Sequence, residues 1–469
     1  MADMELTERE RFPLLNDAGR QMLERLRQHP RAPAFNYHCG EKLSEVGLRR
    51  VRELALELKK QSPASWTVGE HPQWLTDFVR GCWADVPFYR HRDAALREIA
   101  SSEDADMMRV WADVPLIDRS HLRRAPWEFV PDSVELDDLI VYQTSGTTGN
   151  FVTLICDPVA PASYLPLFET ALTAYGVNLD GGQRVSILHM AAQRSTYTHF
   201  STISYLDFAG FAKINLHPDE WRSQGDCAAF IDDCDAEIYT GDPFAFAELA
   251  KIPLKTRPKA LISAATTLLP AVRDHLQSHF GCPVIDVISM NETGPIAYAW
   301  KNQHRVFPHQ IYIEIVDPSG RLVPPGIRGE IVVSGGVNRM MPLLRYRTGD
   351  QGALEFVSGY PTLTQFTGRT PVHFRRWDGE LVRSVDVIVA LYPIPLPLFR
   401  LHQYTDQRLV FQTRCDPATE RIVMSKLHNL FGETPLEIEQ LSDEAAWNGK
   451  AIQFSSDLSP PLLIDNASY

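Results

Sequence analysis

The feature that most constrains the fold is a change of hydrophobic period near residue 138. Upstream, Leu48, Val51, Leu54, Ala55 and Leu58 recur at helical spacing with basic residues on the other face. Leu75, Phe78, Val79 and Cys82 repeat the pattern before Asp85-Val86-Pro87-Phe88-Tyr89 ends it. Downstream, Leu139-Ile140-Val141-Tyr142 reads as a short strand, and a polar loop leads to a second strand from Phe151 to Ile155. Helical segments then alternate with short apolar runs to about residue 290. In one such unit Pro270 opens a helix, Val272, Leu276 and Phe280 share a face, Gly281 closes it, and strand Pro283–Ser289 follows. Alternation of this kind indicates an α/β layered domain.

Residues 310–356 are β-rich: Ile311 to Val316 alternates, Asp317-Pro318-Ser319-Gly320 is a turn, and Glu330 to Ser334 is the next strand. After Gly368-Arg369 short strands such as Arg408–Gln412 mix with a helix near Ile422–Phe431. The expected fold class is α/β. A large N-terminal domain over 1–366 has layered α/β sheets and a β-rich subdomain, with residues 1–130 mainly helical. A small α+β C-terminal domain covers 367–469.

A chain of 469 residues can bury a large core without metals or disulfides. Asp plus Glu is 59 against 46 Lys plus Arg, a net charge of -13, which argues against a nucleic-acid or anionic-membrane binder. A small anion in a local site remains compatible with that field. The seven cysteines are scattered without a C-x-x-C pair, which fits reduced, buried thiols, no metal site and a cytoplasmic address. The N-terminal MADMELTERERFPLL lacks the apolar core of a signal peptide, and the longest apolar run, Val387 to Phe399, is too short to span a bilayer.

Five segments carry chemistry. Thr144-Ser145-Gly146-Thr147-Thr148-Gly149-Asn150 offers backbone amides and hydroxyls that can wrap phosphate oxygens, or forms a plain polar hairpin. It is no Walker loop, because Gly-Lys-[Ser/Thr] is absent and a strand follows. Ser289-Met290-Asn291-Glu292-Thr293-Gly294 stands at the carboxyl end of an apolar strand, where ligands bind in α/β sheets. Glu292 there is either a Mg²⁺ ligand or a solvated carboxylate. Asp350, in Arg345-Tyr346-Arg347-Thr348-Gly349-Asp350, suits two ribose hydroxyls or caps a turn. Gly368-Arg369 sits at the expected boundary, and Gly449-Lys450 lies on a turn of the small domain.

In their order and spacing these segments resemble the adenylate-forming superfamily, and within it the phenylacetate–CoA ligase and capsule-biosynthesis-like branch, over roughly residues 75–455. Asp113-Val114-Pro115-Leu116-Ile117-Asp118 ahead of the loop supports it. The resemblance implies a mobile C-terminal cap that turns about Arg369. It implies an ATP site built by Thr144, Ser145, Gly146, Thr147, Thr148, Gly149, Ala264, Ala265, Asn291, Asp350 and Arg369. Glu292 would hold Mg²⁺, and Lys450 would bridge the reacting carboxylate and the α-phosphate.

The acyl pocket implied by the resemblance comes from Tyr142, His189, Arg194, Tyr197, His199, Phe200, Met290 and Gly294. Dry, unpaired donors are costly, so this polar set implies a polar aromatic acid, hydroxy- or amino-substituted, or with a second carboxylate facing Arg194. The implied partners are ATP, Mg²⁺, CoA and a small carboxylic acid. An amine or carrier-protein acceptor, a non-catalytic nucleotide-binding module and a homodimer stay open. Three departures stand out: Asn150 where a Lys often stands, Ile288 in place of an aromatic, and Pro371 at the hinge.

Overall fold

The computed structural model describes residues 6–60, 70–90, 93–101, 110–144, 151–301, 303–369, 372–447 and 452–458. Strands β1 (Ile140–Gln143) and β2 (Thr153–Cys156) pair antiparallel on either side of the polar loop. The next twelve join one mixed sheet. They are β3 (Val185–Ala191), β4 (His199–Ile203), β5 (Ala209–Asn215), β6 (Ile238–Gly241), β7 (Ala260–Ser263) and β8 (Val284–Met290). After them come β9 (Gly294–Trp300), β10 (Gln303–Val306), β11 (Ile311–Val316), β12 (Gly329–Gly335), β13 (Tyr346–Val357) and β14 (Tyr360–Arg369).

Their spatial order is β11-β12-β13-β14-β10-β9-β8-β7-β6-β3-β5-β4. Strands β5, β3, β6, β7 and β8 are parallel, as the alternation of helix and apolar run requires. Strand β4 closes one edge antiparallel, and β8 turns back tightly into β9 to begin the antiparallel block. The helix expected after Pro270 spans Pro270–Phe280 and ends at Gly281, whose φ of +69° is the left-handed cap that glycine adopts without strain.

Apolar side chains cover both faces of the parallel block. Leu188, Met190, Ala212 and Ile214 pack under helix Asp17–Arg27 through Met22 and Leu26. Ile187, Ile238, Ile262 and Ile285 point the other way, to Leu58, Leu165 and Leu167. Helices upstream of residue 130 cover the antiparallel block, with Leu75, Val79, Trp111 and Phe129 against Ile313, Val333 and Leu354.

The C-terminal part begins with the hairpin β15 (His373–Arg375) and β16 (Leu381–Arg383). Strands β17 (Phe399–Gln403), β18 (Leu409–Thr413), β19 (Leu436–Gln440) and β20 (Ile452–Ser456) form a separate sheet ordered β19-β18-β17-β20. Helix Pro417–Phe431 packs on it through Val423, Leu427 and Phe431, with Asp416 capping the amides of Ala418 and Thr419. Its apolar residues continue the core under β3 and β5. Gly368 and Arg369 are the last residues of β14, and Arg369 is the Cα partner of Asp350. No helix among the described residues is long and apolar enough to cross a membrane.

Candidate functional site

Thr144 stands at the root of the polar loop. Its amide donates to the Val152 carbonyl at 3.0 Å and its hydroxyl accepts from the Val152 amide at 3.1 Å, closing the β1–β2 ladder. Ser145, Gly146, Thr147, Thr148 and Gly149 lie outside the described residues. Glu292 occupies the tight turn between β8 and β9 and is 5% exposed. Tyr346, the first residue of β13, donates its hydroxyl to Glu292 Oε1 at 3.3 Å. Burial, then the neighbouring Glu292 charge, pushes the Tyr346 phenol well up, so it stays a donor.

Arg119 joins the two. Its Nη2 donates to the Thr144 hydroxyl at 2.8 Å, and its Nη1 lies 3.8 Å from Glu292 Oε1. Asp118 caps the short helix Arg119–Arg124 by accepting from the Ser120 and His121 amides. Ile117 forms a parallel bridge with Tyr346, donating to the Arg345 carbonyl at 3.1 Å and accepting from the Arg347 amide at 2.8 Å. That bridge aims Arg119 and Tyr346 at one carboxylate. It is secured by the buried Arg345, whose guanidinium pairs with Glu314 at 3.1 Å and donates to the carbonyls of Trp111, Ala112 and Val114.

Four further expected residues adjoin Glu292. The Tyr142 hydroxyl donates to the Asn291 carbonyl at 3.4 Å, while the Asn291 side chain is exposed. Burial, then Cys156, Tyr164 and Glu292, raises the Tyr142 phenol. Met290 ends β8, and Gly294 opens β9 at φ +83°. A Cβ at Gly294 would meet Val337 Cγ2 at 2.5 Å and Tyr164 Cε1 at 3.3 Å, so only glycine allows this approach. Ala264 and Ala265 follow β7, with the Ala264 amide on the Gly241 carbonyl at 2.9 Å. Ala265 is exposed at φ +73°, a left-handed conformation that costs an alanine ~1 kcal/mol. The buried hydroxyls of Ser263 and Thr266 on the same turn have no hydrogen-bond partner among the described residues.

Asp350 lies in β13, its amide donating to the Thr348 hydroxyl at 3.0 Å. Arg347 and the Gly349 amide hold Glu330 at 2.9 and 3.2 Å, fixing that turn. Lys450 lies outside the described residues, as does the Arg369 side chain. Ile288 is buried in the core, so it is a packing residue rather than an open face at the site.

The remaining pocket residues are not gathered at Glu292. His189 on β3 and His199 on β4 lie several strands away, across the parallel block. Phe200 follows His199 and therefore points from the opposite face, to Phe35 at 5.0 Å. Tyr197 is 67% exposed beside Tyr37. Arg194 is exposed beyond the end of β3, paired with Glu444, and its amide donates to the Trp447 carbonyl at 3.0 Å. The expected pocket thus divides: Tyr142, Met290 and Gly294 surround Glu292, His189 and His199 share one face of the sheet, and Arg194 belongs to the contact with the C-terminal part.

Arg119 and Tyr346 were not read as site residues from the sequence. The signal was available: Arg119 follows the Asp113–Asp118 string, and Tyr346 stands inside the string ending at Asp350.

No family model matches the chain. It is 30% identical over 328 residues to a phenylacetate-coenzyme A ligase from Aromatoleum evansii, covering 66% of this chain and 69% of that protein. The chain belongs to the phenylacetate–CoA ligase family. As a member it is an AMP-forming acid–thiol ligase of the adenylate-forming superfamily, and the family's reaction uses ATP and CoA. Its fold is similar to crystal structures of 2-hydroxyisobutyryl-CoA ligase in the postadenylation state. The complex with 2-HIB-AMP aligns with a TM-score of 0.60 at 16% identity, over 86% of this chain and 89% of that one. The complex with R3-HIB-AMP gives 0.59 at 17% identity over the same shares. In this phenylacetate–CoA ligase family member, Arg119, Thr144, Glu292 and Tyr346 form the polar cluster at the carboxyl end of β8.

Proposed function

We propose that the protein activates a polar aromatic acid as its acyl adenylate at the Thr144–Arg119–Glu292 cluster and passes the acyl group to CoA. In the first step a carboxylate oxygen attacks the α-phosphorus of ATP and pyrophosphate leaves. In the second the CoA thiolate attacks the acyl carbonyl and AMP leaves. Negative charge grows on the phosphoryl oxygens in the first step, and fixed donors and cations there lower its barrier. The observation that carries this reading is Arg119, a cation held by both the loop root and Glu292.

Glu292 fits a Mg²⁺: it is a buried carboxylate tied to the loop root through Arg119, and one protein carboxylate plus phosphate oxygens suffices for that ion. When bound, the ion would supply charge neutralisation for the phosphates. Tyr346 orients the carboxylate, and Arg119 holds the loop root against it. Ser145 to Gly149 would cradle the phosphates, Ala264, Ala265 and the Ser263 and Thr266 hydroxyls the adenine, and Asn291 and Asp350 the nucleotide. Lys450 would act on the reacting carboxylate.

The division at residue 367 belongs to the same proposal, with 367–469 as a cap that turns near Arg369 between the two steps. Its support is the cap's contact in this conformation: the Trp447 ring lies 4.9 Å from His217 and 5.9 Å from Phe244, beside the Arg194–Glu444 pair. A cytoplasmic address is supported by seven free cysteines. Acid-dependent ATP–pyrophosphate exchange, assayed with hydroxy-, amino- and carboxy-substituted aromatic acids, tests the proposal. Exchange confined to simple alkyl acids would refute the aromatic assignment.

A further inference from the structure

Four polar side chains form a row across four neighbouring strands. His189 on β3 is the Cα partner of Thr240 on β6 and of Lys213 on β5, and Lys213 is in turn the partner of His199 on β4. Partners in register point from the same face. It is the face of Ile187, and Phe211 on that face stacks on His199 with ring centroids 5.6 Å apart. Tyr37 meets His199 edge-on at 6.0 Å, which gives the row an aromatic wall.

The chemistry of the row is that of one cation among neutral donors. Burial, then the Lys213 charge, lowers His189 to about 3 and His199 to about 4, so both imidazoles are neutral near pH 7. His189 Nδ1 is already 2.9 Å from the Thr240 hydroxyl. His199 Nδ1 is buried and has no hydrogen-bond partner among the described residues. Lys213 is half-buried, and the influences on its charge are burial, which lowers its pKa, and the Cys39 thiol. Lys213 forms no ion pair with a carboxylate among the described residues. A desolvated ammonium without a counter-ion is unfavourable, and an anion placed beside it removes that cost.

The row occupies the carboxyl-terminal halves of β3 and β5, the same edge of the parallel block from which Glu292 projects. Strand β5 stands four places from β8, which is ~19 Å at ~4.8 Å per strand. A group bound at Lys213 would therefore belong to an extended acid, one long enough to bridge that span from a carboxylate that reacts near Glu292. Arg194, the cation expected for such a group, is engaged by Glu444 instead.

We infer that Lys213, with His189 and His199 beside it, anchors a second anionic group on the substrate, a carboxylate or equivalent oxyanion remote from the carboxylate that is adenylated. The inference rests on the ligase reading above and narrows its substrate class to diacids or acids with a distal oxyanion.

The test is ATP–pyrophosphate exchange by the full-length protein with matched pairs, each an extended aromatic acid whose distal carboxylate can bridge that span and its distal methyl ester. The wild type is expected to favour the free diacid by about tenfold or more in kcat/KM, because a site built for a polar group rejects the analogue that lacks it. Lys213→Met should bring that ratio close to one, and Lys213→Arg should keep most of it. A wild type without preference overturns the inference, as does a Lys213→Met protein that retains the preference. Exchange with esters and monoacids but no gain from the second carboxylate sinks this inference alone. No exchange with any acid sinks the ligase reading and this inference with it.

Discussion

Arg119 donates to the Thr144 hydroxyl at 2.8 Å while lying 3.8 Å from Glu292, so one guanidinium ties the root of the polar loop to the tip of the β8–β9 turn. Neither contact is local in sequence. Both depend on the Ile117–Tyr346 bridge, which sets Asp118-Arg119 against the sheet. If this cation faces the charge that builds in adenylation, Arg119→Ala should lower acid-dependent pyrophosphate exchange by about 10²-fold, the scale of losing one preorganised electrostatic donor. Arg119→Lys should recover part of the loss, since charge returns without the two-pronged geometry. Exchange in Arg119→Ala within a factor of two of wild type would remove the residue from the reaction.

A second prediction concerns the anchor beneath that bridge. Arg345 is buried with Glu314 and satisfies three backbone carbonyls. Arg345→Met leaves Glu314 buried without its cation, a loss of about 3–5 kcal/mol. Thermal unfolding should show a clear drop in Tm for Arg345→Met and a smaller one for the double variant Arg345→Met with Glu314→Gln. Equal drops in the two proteins would show that the ion pair is not what the first variant breaks.

The third prediction is a pH dependence. Glu41 accepts the Ser204 amide at 3.0 and 3.2 Å, and burial raises its carboxyl from 4.5 to about 7. Between those values the folded protein holds a proton that the unfolded chain has released, so stability falls as pH rises from 4.5 through about 7. Glu41→Gln keeps an acceptor for Ser204 and removes the ionisation. Its Tm relative to wild type should therefore be higher at pH 8 than at pH 4.5, read by differential scanning fluorimetry. The same difference at both values would contradict this account.

The sequence exposes what is local. Helix Pro270–Phe280 carries its own start, face and stop, and β8 with its polar turn is readable because an apolar run ends in Met290-Asn291-Glu292. The order of the strands is another matter. Lys213 meets His189 only because β5 inserts beside β3, with β4 displaced to the edge, and no short-range signal encodes that pairing. His199 and Phe200 were expected in one pocket, yet the two-residue period of a strand separates them once β4 is recognised. Arg194 looked like a pocket cation because its partner, Glu444, is supplied by a distant part of the chain.

Adenylation of an acid at the Arg119–Thr144–Glu292 cluster is read out by acid-dependent exchange of labelled pyrophosphate into ATP, measured for the wild-type protein and for Glu292→Gln. Exchange is expected with at least one polar aromatic acid, with its collapse in the variant. No exchange with any acid, together with no shift in Tm on adding ATP, would contradict adenylation at this cluster.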